Sequence, residues 1–294
     1  MTAEYAFFKG CFTPIRLPQL EKVTYKVFGK LGVSLVDLDD FTCCPEPVGV
    51  GIADKLSWLA IAARNLAVAE EKNLDLLTIC NGCTYTLRHA SHALSQDDAL
   101  LEKINSIISD TGHTYKRTAK VRHFLEVLRD DVGVKKLKDS VKRPLAGLTV
   151  ATHTGCHLMS PREVMDFDNP FDPTVLDDFV KLLGATPADY DMKTMCCGWT
   201  LMTYGAREGS YKLLNDKLGS MKQAKADCVT VVCPQCFYQF DMGQWIASRK
   251  DIPRYDLPVM FYLQLLDLAM GSGLDEVGYP LHKIQNTSFA AKIR

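Results

Sequence analysis

Several features that would assign a function at once are missing from this sequence of 294 residues. No apolar run approaches the length of a membrane-spanning helix, and no basic segment near the start is followed by a long hydrophobic stretch. These absences predict a cytoplasmic protein without membrane insertion. The formal net charge is only −1, so no bulk positive field indicates binding to nucleic acid. The motifs G-x-G-x-x-G, G-x-x-x-x-G-K-[ST] and H-E-x-x-H are absent too, which leaves a nucleotide or flavin site unsupported.

Cysteine, by contrast, is abundant: the chain contains 11. Structural disulfides are rare in a reducing cytoplasm, so this many thiols suggest metal ligands or redox groups. Ten of them form two groups of five with the same order, C, then C-C, then C-x-x-C. The first pentad is Cys11, Cys43, Cys44, Cys80 and Cys83, and the second pentad is Cys156, Cys196, Cys197, Cys233 and Cys236.

The spacing within the two pentads is repeated as well. In both, 35 residues separate the C-C pair from the C-x-x-C segment. The offset between the pentads is 145 at the first cysteine and 153 at the other four. A repeat of this length is far longer than a solenoid unit, and it predicts an internal duplication into two domains.

Strand and helix signals alternate around the cysteines. Short apolar strands ending near a cysteine are predicted at 5–10, 76–79, 148–155 and 229–232. Helices are predicted at 18–31, 54–73 and 208–226, and another one capped by Asp172, with Pro173 first, that runs to Leu183. The alternation predicts an α/β fold of two tandem duplicated lobes, each with a small parallel sheet flanked by helices and a site for one cysteine pentad.

The domain boundary is predicted in the turn-rich segment 142–147. This gives a first domain of residues 1–143 and a second domain of residues 144–294. Residues 87–141 show no strand signal, and we expect them to be a helical insertion that carries the crossover. Residues 259–270 are predicted to form the last helix. Residues 272–294 are predicted to be an extended arm that becomes ordered only against a partner.

From the residues alone, three interpretations of the pentads stay open. Buried free cysteines leave the repeated spacing unexplained. Zinc uses four cysteines and leaves one spare in each lobe. An iron–sulfur cluster held by all five uses every member of the repeat, and we favour it. The eleventh cysteine, Cys228, has no counterpart in the first group, and we expect it to be a buried bystander.

The segments around the cysteines resemble a known family. They are Ala6-Phe-Phe-Lys-Gly-Cys11, Cys43-Cys-Pro-Glu-Pro47, Ala62-Ala-Arg-Asn65, Cys80-Asn-Gly-Cys83, His153-Thr-Gly-Cys-His157, Met195-Cys-Cys-Gly198 and Cys233-Pro-Gln-Cys236. With them the chain resembles proteins with the duplicated cysteine-rich CCG domain, and most closely the B subunit of the CoB–CoM heterodisulfide reductases of methanogenic archaea. It departs from that pattern after Gly198, where Trp199 and Thr200 replace a more glycine-rich run.

The resemblance implies a cofactor, a reaction and partners. Each pentad would bind one noncubane 4Fe–4S cluster, which makes all ten cysteines metal ligands. The chain would be an oxidoreductase of methanogenesis that cleaves the disulfide of coenzyme M and coenzyme B between the two clusters. Its partners would be the ferredoxin-like iron–sulfur C subunit and the flavin-containing A subunit of heterodisulfide reductase, with a hydrogenase or formate dehydrogenase upstream.

With catalysis placed on the clusters, no side chain is needed as a nucleophile. Local cations are predicted to bind the anionic groups of the substrate, and the candidates are Lys9, Arg16 and Arg207. Candidates for holding a proton or contacting the substrate are His153, His157 and Glu46. Two other functions stay compatible with the residues. One is a cysteine-rich electron-transfer subunit of a glycolate, lactate or succinate dehydrogenase, and the other is a zinc-binding scaffold without turnover.

Overall fold

The computed structural model describes residues 3–250 and 252–293, which contain two four-stranded sheets with only parallel neighbours. The first sheet has the order β2-β1-β3-β4 and consists of β1 (Ala3–Phe8), β2 (Val33–Val36), β3 (Asp75–Thr78) and β4 (Val121–His123). The second has the order β6-β5-β7-β8 and consists of β5 (Thr149–His153), β6 (Thr186–Pro187), β7 (Cys228–Val231) and β8 (Val259–Phe261). The identical strand order confirms the predicted duplicated α/β architecture.

Helices flank both sheets. The first lobe contains α1 (Phe12–Arg16), α2 (Pro18–Lys30), α3 (Gly49–Ala53), α4 (Lys55–Glu70), α5 (Asn81–Gln96), α6 (Asp98–Ile108), α7 (Phe124–Glu126) and α8 (Val134–Ser140). The second lobe contains α9 (Arg162–Met165), α10 (Val175–Leu182), α11 (Trp199–Thr203), α12 (Arg207–Gln223), α13 (Pro234–Tyr238), α14 (Gln244–Ala247), α15 (Tyr262–Ala269) and α16 (Thr287–Ile293). Turns of π-helix over Val127–Gly133 and Gln239–Gly243 join α7 to α8 and α13 to α14. No helix of the described segments is long and apolar enough to cross a bilayer.

The central strands are buried because helices cover both faces of each sheet. All four residues of β7 are fully buried, as expected for a parallel strand with a neighbour on each side. Cys228 is the first of them, so the predicted burial of this thiol is confirmed. The start of α4 is fixed by an N-cap: the Asp54 carboxylate accepts hydrogen bonds from the backbone N–H groups of Leu56 and Ser57.

The two lobes also pack against each other through helices. α2 of the first lobe lies on α15 of the second. At this contact, Lys26 and Lys30 both form ion pairs with Asp267, whose side chain is fully buried. Residues 142–147, between α8 and β5, belong to no helix or strand, and we keep the proposed domain boundary between 143 and 144 there.

The cap predicted for the helix around residue 175 was wrong. α10 begins at Val175, not at Pro173, and Asp172 is exposed and lies outside the helix. The carboxylate of Asp168 accepts the backbone N–H groups of Thr174 and Val175 instead, at 2.9 and 2.8 Å. The loop therefore folds back, so that a more distant carboxylate satisfies the first free donors of the helix.

Three further predictions were wrong. The segment 87–141 is not purely helical, because it contains β4, and residues 259–270 begin with β8 before α15. Residues 272–293 are not an arm awaiting a partner. They end in α16, where Phe289 and Ile293 are buried, and Lys292 pairs with Asp227 at 2.7 Å. The apolar residues of α16 are enough to dock this segment on the second lobe. Arg294, the last residue of the predicted arm, lies outside the described residues.

Candidate metal centres

The cysteines gather at the carboxyl ends of the strands. In the first lobe, β1 ends at Phe8 shortly before Cys11, and β3 ends at Thr78 shortly before Cys80. β5 and β7 lead to the second pentad in the same way. Because the carboxyl ends of parallel strands meet at one edge of a sheet, thiols that are distant in sequence come together there.

The five thiols of the first pentad form a connected group. Cys11 Sγ lies 3.6 Å from Cys43 Sγ, and Cys44 Sγ lies 3.1 Å from Cys83 Sγ. Cys43 also contacts Cys44, and Cys83 also contacts Cys80. The structure therefore brings together all five cysteines that the sequence assigned to one site.

The second pentad repeats these links. Cys197 Sγ lies 3.4 Å from Cys236 Sγ, and this contact corresponds to that of Cys44 with Cys83 in the first pentad. Cys156 contacts Cys196, which contacts Cys197, and Cys236 contacts Cys233. The duplication thus extends from the spacing of the cysteines to the contacts between their thiols.

The two pentads meet at equivalent residues. Cys80 Sγ and Cys233 Sγ, the first cysteines of the two C-x-x-C segments, are buried and 3.9 Å apart. Contacts between neighbouring thiols consequently connect all ten in a single order, in which the second pentad repeats the first in reverse. This order is Cys11, Cys43, Cys44, Cys83, Cys80, Cys233, Cys236, Cys197, Cys196 and Cys156.

The pKa shifts of the thiols are consistent with a site that binds a positively charged metal centre. Hydrogen bonding with the thiols of Cys43 and Cys83 lowers the pKa of Cys44 to about 5. The same contact raises the pKa of Cys83 well above its usual range. Without a cation, neighbouring thiols therefore cannot all ionise together. A metal centre removes this limit, and an all-sulfur donor set is one that iron–sulfur clusters and zinc accept.

Glycines let the backbone pass close to the thiols. Gly10 and Gly155, each directly before the first cysteine of a pentad, have φ of +66° and +83°. A Cβ at Gly10 would lie 2.9 Å from Cys83 Sγ, and one at Gly155 would lie 3.6 Å from Cys236 Sγ. The space beside both pentads thus depends on residues without side chains.

Aromatic rings from one lobe lie against the pentad of the other. The ring of Phe12 packs edge-on against that of Tyr238, at 5.3 Å between centroids. The equivalent pair with the lobes exchanged is His157 and Tyr85, at 4.9 Å. Trp199 packs on Phe12 at 5.4 Å. These rings join the two lobes beside the pentads.

Of the three predicted anion-binding cations, only Lys9 lies beside a pentad. It lines a cavity together with Cys11 and Cys43. Its ammonium group is 2.9 Å from a Glu21 carboxylate oxygen and 3.0 Å from one of Asp37. The charge of Lys9 is therefore already balanced by two carboxylates, and an anionic ligand would have to compete with them.

Neither Arg16 nor Arg207 lines one of the cavities that contain pentad cysteines. Arg16 is the exposed last residue of α1. Arg207 is the exposed first residue of α12 and lines a surface depression with Tyr211 and Lys250, whose lining contains no cysteine. The structure does not bring Arg207 to the second pentad, because its side chain lies on the exposed side of α12.

Both predicted histidines lie at the second pentad. His153 is buried, and a ring nitrogen, the thiol of Cys197 and that of Cys236 lie within 4.8 Å of one another. Neither ring nitrogen of His153 has a hydrogen-bond partner in the described part of the chain. Burial holds the pKa of His153 well below its usual range, so the ring is neutral. His157 lines a cavity that also contains Cys196 and Cys197.

Glu46 closes the first cavity with a residue that the sequence did not single out. Its carboxylate accepts the backbone N–H of Gly49 at 2.6 Å and the hydroxyl of Tyr204, which belongs to the second lobe. Glu46 lines the same cavity as Cys11 and Cys80. The carboxylate thus joins the two lobes at the edge of the first pentad.

A second overlooked residue, Lys217, holds the loop in front of the second C-C pair. Its ammonium group donates to the backbone carbonyls of Met192, Lys193 and Met195 at 2.7, 3.0 and 2.6 Å. The side chain is fully buried. A lysine in the middle of an otherwise ordinary helix gives no sequence signal of this role.

Comparison with known proteins identifies the family. The family model described as "Cysteine-rich domain" (CCG) matches residues 5–88 and 150–241, one copy in each lobe. The chain therefore belongs to the family of duplicated cysteine-rich CCG domains.

Within that family, the B subunit of the ferredoxin/F(420)H(2)-dependent CoB-CoM heterodisulfide reductase of Methanosarcina acetivorans is 40% identical over 99% of this chain and 97% of its own length. The "8-methylmenaquinol:fumarate reductase membrane anchor subunit" of Wolinella succinogenes is 32% identical over 95% of this chain and 96% of its own. The expected relationship to the B subunit of heterodisulfide reductases is confirmed, and the chain is an iron–sulfur protein of that group.

A solved structure supports the fold alone. The crystal structure of a hypothetical protein from Helicobacter pylori superimposes with a TM-score of 0.77 at 16% identity. The match covers 98% of this chain and 53% of that one. The chain thus spans about half the length of this structural relative.

Proposed function

We propose that this chain is the disulfide-cleaving subunit of a heterodisulfide reductase, with one noncubane 4Fe–4S cluster at each pentad. The proposal is carried by the contact of Cys80 with Cys233, which sets two five-thiol sites side by side. Reduction of a disulfide requires two electrons and two protons, and iron–sulfur clusters transfer electrons singly. Two adjacent centres can together supply the two electrons, whereas a single centre transfers only one at a time. The substrate proposed is the mixed disulfide of coenzyme M and coenzyme B, which would yield two thiols.

The ten cysteines would hold the clusters, and when bound the clusters supply the two electrons and a site for each sulfur. The surrounding residues shape the space between the lobes. With both clusters bound, Phe12, Trp199 and Tyr238 would shield them from water on one side, and Tyr85 with His157 would do so on the other. A dry site strengthens the attraction between cations and an anionic substrate.

Protons for the two thiol products would come from side chains at the edges of the pentads. The hydroxyl of Tyr204 donates to Glu46, which faces the first cavity. His157 faces the second cavity. Lys9 would bind an anionic group of the substrate by exchanging one of its two carboxylate partners. These groups are placed to bind and protonate, and none of them is required as a nucleophile.

The electrons would come from other proteins of a complex. The name of the Methanosarcina relative, which is one lettered component of its reductase, indicates a multisubunit assembly. We propose the ferredoxin-like iron–sulfur C subunit and the flavin-containing A subunit of heterodisulfide reductase as the immediate partners in the cytoplasm. A hydrogenase or a formate dehydrogenase would act upstream.

The test is a reaction in two parts on the anaerobically purified chain. Metal analysis is expected to give about eight irons and eight acid-labile sulfides, the content of two four-iron clusters. With reduced viologen as the donor, the mixed disulfide is expected to yield two thiols per two electrons. Two zincs without sulfide would establish a scaffold instead, and intact clusters without thiol release would reject the proposed reaction.

A second function is favoured by the Wolinella relative, which is named as a subunit of a quinol-linked fumarate reductase. In this alternative, the same centres pass electrons between a dehydrogenase and a quinone and never bind a disulfide. The assay above separates the two possibilities. A loaded chain that reduces a menaquinone analogue but leaves the mixed disulfide intact would establish the alternative.

A further inference from the structure

The two pentads are duplicated in their cysteines but not in the groups around their sulfurs. Four pairs of equivalent positions differ between the lobes. In each pair, the difference adds a hydrogen-bond donor or a positive charge at the second pentad. Hydrogen bonds to sulfur and nearby positive charge both stabilise the reduced form of an iron–sulfur cluster and raise its potential.

The first difference lies directly after the C-C pairs. The backbone N–H of Gly198 donates to Cys196 Sγ at 3.3 Å. The residue in the same position after the first pair is Pro45, which has no N–H. The first pentad therefore lacks this donor.

The second difference lies within the C-x-x-C segments, where the lobes meet. The backbone N–H of Asn81 lies beside the sulfur of Cys233, next to the 3.9 Å contact between Cys80 Sγ and Cys233 Sγ. The reciprocal bond to Cys80 would come from residue 234. That residue is a proline, so the bond cannot form. At the contact between the lobes, the first lobe thus offers a backbone N–H to the second pentad, and the equivalent residue of the second lobe has none to offer the first.

The third difference is a buried charge on α12. Lys217 donates to three carbonyl oxygens, and only an ammonium group has three N–H bonds to give. The three acceptors around Nζ therefore require the protonated, positively charged form of Lys217. The ammonium group bonds the carbonyl of Met195 at 2.6 Å, directly before Cys196, so the charge lies beside the second pentad. Burial lowers the pKa of Lys217 to about 8, against the raising effect of the neighbouring thiolates.

The first lobe uses a neutral residue for the same task. Asn65 on α4 accepts the backbone N–H of Thr42 at 2.8 Å and donates to the carbonyl of Cys43 at 3.1 Å. Both Asn65 and Lys217 hold the loop in front of a C-C pair from the following long helix. The loops are equally supported, but only the second support carries a charge.

The fourth difference lies at the ends of β1 and β5. His153, at the end of β5, has a ring nitrogen close to Cys197 and Cys236 and lacks a partner for either nitrogen among the described residues. A neutral imidazole keeps one N–H, which is free to donate to sulfur. The equivalent residue in β1 is Phe8, which packs against Phe41 at 5.0 Å.

One cation near the first pentad does not reverse this pattern. Lys9 lines the cavity of Cys11, but Glu21 and Asp37 offset its charge. Two carboxylates against one ammonium group leave that corner negative. At the positions compared, the first pentad therefore has fewer donors, and no uncompensated charge comparable to that of Lys217 lies beside it among the described residues.

We infer that the two centres are not redox-equivalent: the centre of the second pentad has the higher potential and takes the first electron, and that of the first pentad takes the second. This rests on the proposed function only in that both pentads hold a cluster. It gives the lobes distinct roles, since the first-lobe centre becomes the stronger reductant of the pair.

The test is a potentiometric titration with dithionite, followed by electron paramagnetic resonance, on the loaded chain. Single-site forms, Cys83→Ser and Cys236→Ser, assign each signal to a lobe. The signal that remains in Cys83→Ser is expected to have the higher midpoint potential. Lys217→Met in that background is expected to lower the reduced-to-oxidised ratio at fixed potential about tenfold, or about 59 mV for one electron.

A matched control is Lys212→Met, on the same helix. It removes the same charge from a side chain that is 76% exposed, and no shift is expected. Asn65→Met in the Cys236→Ser background should leave the first-lobe potential nearly unchanged, because no charge is lost. If Lys217→Met fails to retain iron, His153→Phe tests the same inference through an independent donor, and its expected shift has the same sign.

The outcomes separate the two proposals. A wild-type chain without two clusters would overturn the proposed function and this inference with it. Two clusters whose potentials coincide, or whose order is reversed, would overturn this inference and leave the proposed function intact. An equal shift with Lys212→Met would mean that bulk charge, not the buried ammonium group, sets the potential.

Discussion

The side-chain amide of Asn81 donates to the backbone carbonyl of Thr154 at 2.7 Å and thereby ties the start of α5 in the first lobe to the loop before Cys156 in the second. Gly155 follows in that loop, and a Cβ built there would lie 2.6 Å from Asn81 Nδ2. The contact between the lobes is therefore closed at this point to any side chain.

Gly155→Ala is expected to weaken the lobe contact and the retention of iron at the second pentad. The added methyl group would displace Asn81, and the φ of +83° adds backbone strain of about 1–2 kcal/mol. The measurement is iron content together with the melting temperature. Gly133→Ala is the control, because its φ of +83° and ψ of 146° match those of Gly155 but nothing lies within 4 Å of its Cβ. Equal losses in both variants would attribute the effect to backbone strain alone.

Cys83→Ser is expected to remove about half of the iron and sulfide, because it disrupts one of two sites, and to abolish disulfide cleavage. The matched variant is Cys228→Ala. Burial raises the pKa of Cys228, so it is an inert thiol inside β7. Full iron content and activity are expected there, with a modest loss of stability. Iron loss in Cys228→Ala equal to that in Cys83→Ser would contradict the division into five, five and one.

Phe289→Ala is expected to cost about 3–4 kcal/mol and to release α16 from the second lobe. Phe289 is 2% exposed and packs against Tyr279 at 5.4 Å between ring centroids. Limited proteolysis near the C-terminus and thermal unfolding are the measurements. Phe171→Ala is the control, since that ring is 90% exposed and its loss should stay within about 0.5 kcal/mol. Equal protease resistance of the two variants would speak against a docked α16.

Asp241 predicts a dependence of stability on pH. Burial raises the pKa of its carboxyl from 3.8 to about 6, although the backbone N–H groups of Lys283 and Ile284 donate to it. The folded state therefore favours the protonated form. Its contribution to stability is fully present below about pH 4 and is lost as pH rises through about 6, by roughly 2–3 kcal/mol in total.

The comparison of the natural chain with Asp241→Asn isolates this contribution. The natural chain is expected to lose stability relative to the variant between pH 4 and 7, as followed by thermal unfolding of the metal-free chain. Parallel pH profiles of the two proteins would show that Asp241 ionises normally in the folded state.

The sequence predicted the two central strands of each sheet and the grouping of the cysteines, because both follow from local signals that occur twice. Cys80 and Cys83 follow a buried apolar run, and so do Cys233 and Cys236. β4 was missed because three residues are too few to show a period. Asp168 was missed because the loop that brings it to α10 is a tertiary feature.

The residues around the pentads were harder to predict for a physical reason. The cysteines repeat at an offset of 153, but α4 and α12 begin at Lys55 and Arg207, one residue out of step with that offset. Asn65 and Lys217 therefore do not align when the cysteines are superimposed along the sequence. Their equivalence appears only when both side chains are seen to bond the loop in front of a C-C pair.

The ion pairs of Lys26 and Lys30 with Asp267 affect how a substrate could reach the thiols. A hinge motion that separates the lobes would move the buried carboxylate away from both ammonium groups. Leaving a buried charge without its partner costs about 3–5 kcal/mol. The width of the gap between the two centres is therefore set by the scaffold rather than by a hinge. A disulfide would enter from the edge of the contact between the lobes, and the fixed separation of the two centres would limit the length of disulfide that fits.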